Sequence, residues 1–197
     1  MKYLDKIEHL LPLGYLYLVV LGILKETVFL YQLDINILKY SSIMDVLISP
    51  IATMTSNAAV FAIIILIIAL SYYLPSVLYK HGHKKWFIKN FDLKKTKGEV
   101  PDAEIKEYYL FIAVRTFASF LLSVYIGFGV AEGYMTSQKI KNNKLEYDYK
   151  LNYDTGESET IFLIESNSLY YFYVAKGEKS IKIAPISGIK NLELNGK

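Results

Sequence analysis

Three ionisable residues interrupt otherwise apolar stretches, and each poses a chemical question. Arg115 is the single arginine among 22 cationic residues. It stands about seven residues into the apolar run 108–131, roughly 10 Å deep at 1.5 Å rise per residue. Charges inside a membrane mark functional sites by default, although an arginine stem also lets the guanidinium snorkel to the interface, which is the simpler reading here. Lys25 and Glu26 are consecutive in the run 12–33, so on a helix they point about 100° apart and cannot both face lipid. The expectation is that Lys25 snorkels outward while Glu26 faces other helices, where a carboxylate could serve a proton or cation path. A Glu26–Arg115 pair is strained, because the two lie at depths differing by ~10 Å.

Other constellations carry less. His81-Gly82-His83 has alternate-residue ligand spacing, but zinc wants four ligands, the chain has no cysteine, and His9 is the only further histidine. A solvated basic loop is the better reading. Intramembrane hydrolysis needs a paired set such as serine with histidine or two aspartates. The histidines lie outside the apolar runs, those runs hold no aspartate, and no Gly-rich phosphate loop occurs. The chain is therefore expected to be no enzyme and to need no cofactor or metal.

Three groups of residues suggest contacts. Ser119, Ser123 and Gly127 recur every four positions, a small-residue groove suited to helix packing within one chain or between copies; because three helices bury little, a homo-oligomer is expected. Lys84, Lys85, Trp86 and Lys89 form a basic, aromatic cluster that fits a headgroup anchor at the lipid bilayer. Tyr170, Tyr171, Phe172 and Tyr173 put aromatics on both faces of a strand. One set should fill a core; the other, with Tyr147 and Tyr149, is a possible surface for a protein partner.

These residues need elements to hold them, and the apolar runs supply helices. Residues 58–78 contain no charge, and a run of ~20 residues spans the ~30 Å hydrocarbon core. Residues 12–33 and 108–131 are of similar length and complete three transmembrane helices. Lys25 and Glu26 stand where a cleavable signal would need small residues, so the first is read as retained. The connection 79–107 holds Lys80, Lys84, Lys85, Lys89, Lys94, Lys95 and Lys97, whereas 34–57 holds Lys39 alone. The positive-inside bias places the lysine-rich connection and the N-terminus, with Lys2 and Lys6, in the cytoplasm, and the tail after the third crossing outside. Between the first two spans, 35–54 reads as a surface amphipathic helix ended by Pro50, in preference to a re-entrant segment.

After Glu132 the period changes. Leu145, Tyr147, Tyr149, Leu151 and Tyr153 alternate with polar residues, the pattern of a half-buried strand. Turns at Asp154-Thr155-Gly156, Asn167-Ser168 and Lys176-Gly177 separate further strands over 160–164, 169–175, 180–184 and 190–194. Residues 185–188 suit one short helical turn. Five short strands with a compact turn before the last resemble the small SH3-like barrels in strand count and spacing alone, which transfers no function. The fold class is thus an α+β membrane protein: a helical domain, 1–134, followed by an antiparallel five-stranded β-module, 144–197, as an SH3-like barrel or curled sheet.

Composition agrees. Of 197 residues, 53% are hydrophobic and 21% charged, with mean hydropathy +0.25; soluble domains sit nearer 45–50% and 25%. With one arginine and net charge +3, nucleic-acid reading is not expected. The lysine, isoleucine, asparagine and tyrosine bias suggests a bacterial chain, here of the inner (plasma) membrane. The leading expectation is a sensing, binding or protective module of the immunity or defence kind, acting through its β-domain. The alternatives are an oligomeric channel or transporter subunit lined by Glu26, Arg115 and the Ser119/Ser123/Gly127 face, or an accessory subunit of a larger membrane complex.

Overall fold

The computed structural model describes residues 2–56 and 58–195. Asn57, Gly196 and Lys197, at expected element limits, lie outside the described residues, as do the side chains of Lys2, Lys6 and His9. Five α-helices precede five strands: α1 (Lys2–Tyr31), α2 (Ile43–Ser56), α3 (Ala58–His81), α4 (Lys85–Phe91) and α5 (Asp102–Lys141), then β1 (Tyr149–Tyr153), β2 (Ser158–Ser166), β3 (Tyr170–Ala175), β4 (Ile181–Pro185) and β5 (Ile189–Leu194). Among the described residues three helices contain segments long and apolar enough to cross a membrane: Pro12–Tyr31, Ala58–His81 and Asp102–Lys141. The chain forms two compact units, Met1–Pro50 with Ile126–Lys197, and Ile51–Tyr125.

The expected amphipathic helix begins later and runs through its proline. Residues 37–39 form a single 3-10 turn, and α2 starts at a capping box: the Ser42 backbone N–H donates to Asp45 Oδ2 at 2.9 Å, and the Asp45 N–H donates to Ser42 Oγ at 3.2 Å. Pro50 sits inside α2 rather than at its end. A Cβ built on Gly22 of α1 would lie 2.8 Å from the Pro50 ring, so glycine lets the two helices touch there. In the second unit, Leu78, Leu93, Ile105, Tyr109 and Ile112 make a core that α4 covers with Phe87, Ile88 and Phe91.

The sheet is antiparallel throughout, with order β4-β3-β2-β1-β5. One 3-10 turn, Ile186–Gly188, precedes β5, as the spacing suggests. Alternation in β1 is as read: Tyr149, Leu151 and Tyr153 share the face that carries Ile161, Tyr173 and Ala175. The strand is shorter than expected, since Leu145 and Tyr147 precede it. The sheet does not close into a barrel: β4 pairs with β3 and β5 with β1, and these two remain the edges. Closure would serve to bury a second apolar face, and here another element buries it. Phe172 and Val174 pack on Phe29, Leu30, Leu33, Ile35 and Ile37 from α1 and the segment after it.

Candidate functional site

The densest set of charges lies within the first unit, and glycine makes it possible. Lys25 and Phe29 on α1 meet Gly129 and Gly133 on α5. A Cβ on Gly129 would stand 2.6 Å from the Lys25 carbonyl oxygen, and one on Gly133 2.6 Å from that of Phe29. Two i, i+4 pairs face each other in the small-xxx-small manner. Gln32 completes the seam, its Nε2 donating to the Val130 carbonyl at 2.9 Å.

Beside this seam Lys25 is 8% exposed. It does not snorkel: its ammonium lies 3.4 Å from Glu26 Oε1 and 3.2 Å from Glu132 Oε2. A buried ammonium needs a counter-charge, and these two carboxylates supply it. Ser49 of α2 donates to Glu26 Oε1 at 3.3 Å. Strand β2 adds a third carboxyl. The β2–β3 register shifts between Leu163 and Glu165, so that Glu165 rather than Ile164 stands opposite Phe172. Residues directly opposite in an antiparallel pair share a face, and the bulge thereby turns Glu165 toward the helices that Phe172 covers. Burial pushes the Glu165 carboxyl up to about 7, the negative charges of Glu26 and Glu132 adding to the shift and Lys25 opposing it. Of this set, Glu165 is the carboxyl whose charged form burial and its like-charged neighbours disfavour.

A second polar junction joins the β2–β3 turn to the start of α2. The Ser168 N–H and hydroxyl donate to the two Asp45 oxygens, each at 2.9 Å, and Asn167 Nδ2 donates to the Tyr40 carbonyl at 3.2 Å. Partial burial works to raise the Asp45 carboxyl, but the hydrogen bonds from Ser42 and Ser168 outweigh it and hold it below the usual carboxylate range. Tyr40 also meets Tyr170 and Phe172 edge-on, at 5.4 and 5.9 Å between ring centres.

The expected partner surface is therefore largely interior. Phe172 is 0% and Tyr173 2% exposed, on opposite faces, while Tyr170 and Tyr171 are half-buried against the two clusters. Tyr147 and Tyr149 are half-buried too. Counting aromatics on a strand overlooks a helix end that covers the second face.

Arg115 belongs to the other unit. Its Nη2 donates to the Phe91 carbonyl at 2.5 Å, a cation at the C-terminal end of α4, where the helix dipole favours it. It borders an open cleft of about 440 Å³ between α4 and α5 with Trp86, Ser119 and Ser123. The two serine hydroxyls donate to carbonyls one turn back, those of Arg115 and Ser119. A Cβ on Gly127 would meet nothing within 4 Å, so within the chain the close helix approach is made by Gly129 and Gly133 instead. The G-x-x-x-G spacing of that pair is visible in the sequence. Lys84, Lys85, Trp86 and Lys89 are exposed along α4, whereas Lys95 pairs with Glu104 at 2.6 Å and Lys97 lies 4.1 Å from the Tyr79 ring centre. His81 stacks on Phe87 at 6.3 Å between ring centres. No metal-holding group of three occurs among the described residues.

These features define a helical protein with three potential membrane spans and an open antiparallel sheet. No protein family matches the chain, and no curated protein or solved structure is significantly similar to it.

Proposed function

We propose that the chain is a small multi-pass protein of a bacterial plasma membrane that binds or senses a partner through its β-domain, in a sensing or protective role of the immunity or defence kind. The observation that carries this reading is the way the sheet is rooted. Its helix-facing side is fixed to the end of α1 by Phe172 and Val174 and to the start of α2 by Asp45. A strand that meets a partner is thereby tied rigidly to a candidate span. The edges β4 and β5 are left unpaired, and an open edge is a common docking element for an extended segment. Lys182 and Lys190 on these strands keep the edges soluble.

The rooting also favours the proposed topology. The segment after the first span (Leu33, Ile35, Ile37) and the sheet after the third share one core. Odd-numbered crossings leave both on one side, and the lysine-rich connection 79–107 then lies on the other, which the positive-inside bias makes cytoplasmic. The role is non-enzymatic: Lys25 and Glu26 are occupied by each other, by Glu132 and by Ser49.

Photo-crosslinkers placed singly at Lys190 on β5 and at Thr155 in the β1–β2 turn, in cells expressing the full chain, test the reading. One protein trapped reproducibly from Lys190 and not from Thr155 is expected. Equal trapping from both, or from neither, defeats it, and steady single-channel currents from purified protein would place the chain with the channels.

A further inference from the structure

We propose that the cleft between α4 and α5 is a binding site for one anionic glycerophospholipid, with the phosphate held at Arg115 and an acyl chain laid along α5; this rests on the membrane reading above. Trp86, Asn90 and Phe91 of α4 face Arg115, Ser119 and Phe120 of α5 across about 440 Å³. A guanidinium carries five N–H donors in a planar fork suited to phosphate oxygens. Among the described residues Arg115 directs one hydrogen bond inward, to the Phe91 carbonyl, and the side chain is exposed. The inward bond holds the fork in place, and it uses only one of the five donors of a residue that lines the cleft.

Charge selects the occupant. Among the described residues no carboxylate lines the cleft, and Lys84, just before α4, and Lys85 and Lys89 on it are all exposed. Trp86, 64% exposed, stands beside them as interfacial tryptophans do. The floor is matched to a lipid tail. Ser119 and Ser123 satisfy their hydroxyls on their own helix, at 3.0 and 2.9 Å, so they present small volume without an open donor. From Arg115 to Ser123 the helix rises ~12 Å, the length of a substantial stretch of acyl chain. Phe120, 57% exposed, provides a wall for it. A second copy of this chain, the occupant suggested by the serine stripe alone, would have to bring a carboxylate or leave the guanidinium unpaired in hydrocarbon.

Native mass spectrometry of the full-length protein in detergent, supplied in turn with phosphatidylglycerol and phosphatidylcholine, tests the site. Wild type should retain one phosphatidylglycerol per chain at least tenfold more strongly than phosphatidylcholine. R115Q should lose that preference, R115K should recover part of it, and S119L should block the groove while leaving Arg115 in place. Equal retention of the two lipids, unaltered retention by R115Q, or a dimer that S119L dissolves would each overturn the assignment. Circular dichroism confirms that the variants fold. Failure of the membrane reading has a separate signature: cysteines at Lys95 and Thr155 would then label from the same side.

Discussion

Lys25 and Arg115 are alike in the chain, each the lone cation of an apolar run (12–33 and 108–131), and the structure treats them in opposite ways. Lys25 is buried and held by two carboxylates, with a third carboxyl delivered by a strand bulge. Arg115 is exposed, caps a short helix and borders an open cleft. The difference lies in what the opposing backbone allows. Opposite Lys25, Gly129 and Gly133 bring α5 within van der Waals range and carry Glu132 with it. Around Arg115 the partner is a carbonyl at a helix end, which takes one hydrogen bond and leaves the charge uncompensated. One cation is a structural element of its unit, and the other is available to a ligand.

The sharpest way to break this contrast is to remove each charge. Lys25→Met strands Glu26, Glu132 and Glu165 without a counter-ion and should cost ~3–5 kcal/mol, the range for a broken buried pair. Arg115→Met forfeits one hydrogen bond, about 1 kcal/mol. Thermal unfolding in a fixed detergent measures both, and equal losses would mean that the two cations are not different in kind.

Proton linkage sharpens it further. The folded-state carboxyl of Glu165 is pushed up to about 7 from an ordinary value of 4.5, so the folded chain binds that proton more tightly than the unfolded chain does. The contribution of this group to stability should be full below pH 4.5, fall as the pH rises toward 7, and level off above, by at most ~1.4 kcal/mol per pH unit. Glu165→Gln should flatten that limb of the profile. A wild-type stability that climbs between pH 5 and 7 would contradict the arrangement.

The last contrast concerns the glycines. Gly129→Ala places a methyl against the Lys25 backbone and should destabilise by ~1–3 kcal/mol through overpacking. Gly127→Ala, with open space around it, should be neutral or stabilise by up to ~1 kcal/mol through helix propensity. A reversed order would move the helix seam to the other face of α5.

The sequence itself determined the three long apolar helices, the change to two-residue alternation, and the turns at Asp154-Thr155-Gly156 and Lys176-Gly177, because hydropathy, periodicity and positive-φ glycines are local properties. Gly156 and Gly177 do adopt φ of +90° and +87°. The capping pair Ser42/Asp45 and the Gly129/Gly133 spacing were equally local signals, though their partners were not. Only tertiary structure decided that Phe172 is interior, that the sheet stays open, and that Lys25 meets Glu132 with Glu165 within reach of its charge. Those outcomes depend on segments more than a hundred residues apart packing together and on a single bulged residue in β2. Neither leaves a periodic trace, since the partner of a buried group is chosen by three-dimensional distance and the energetic cost of leaving that group alone.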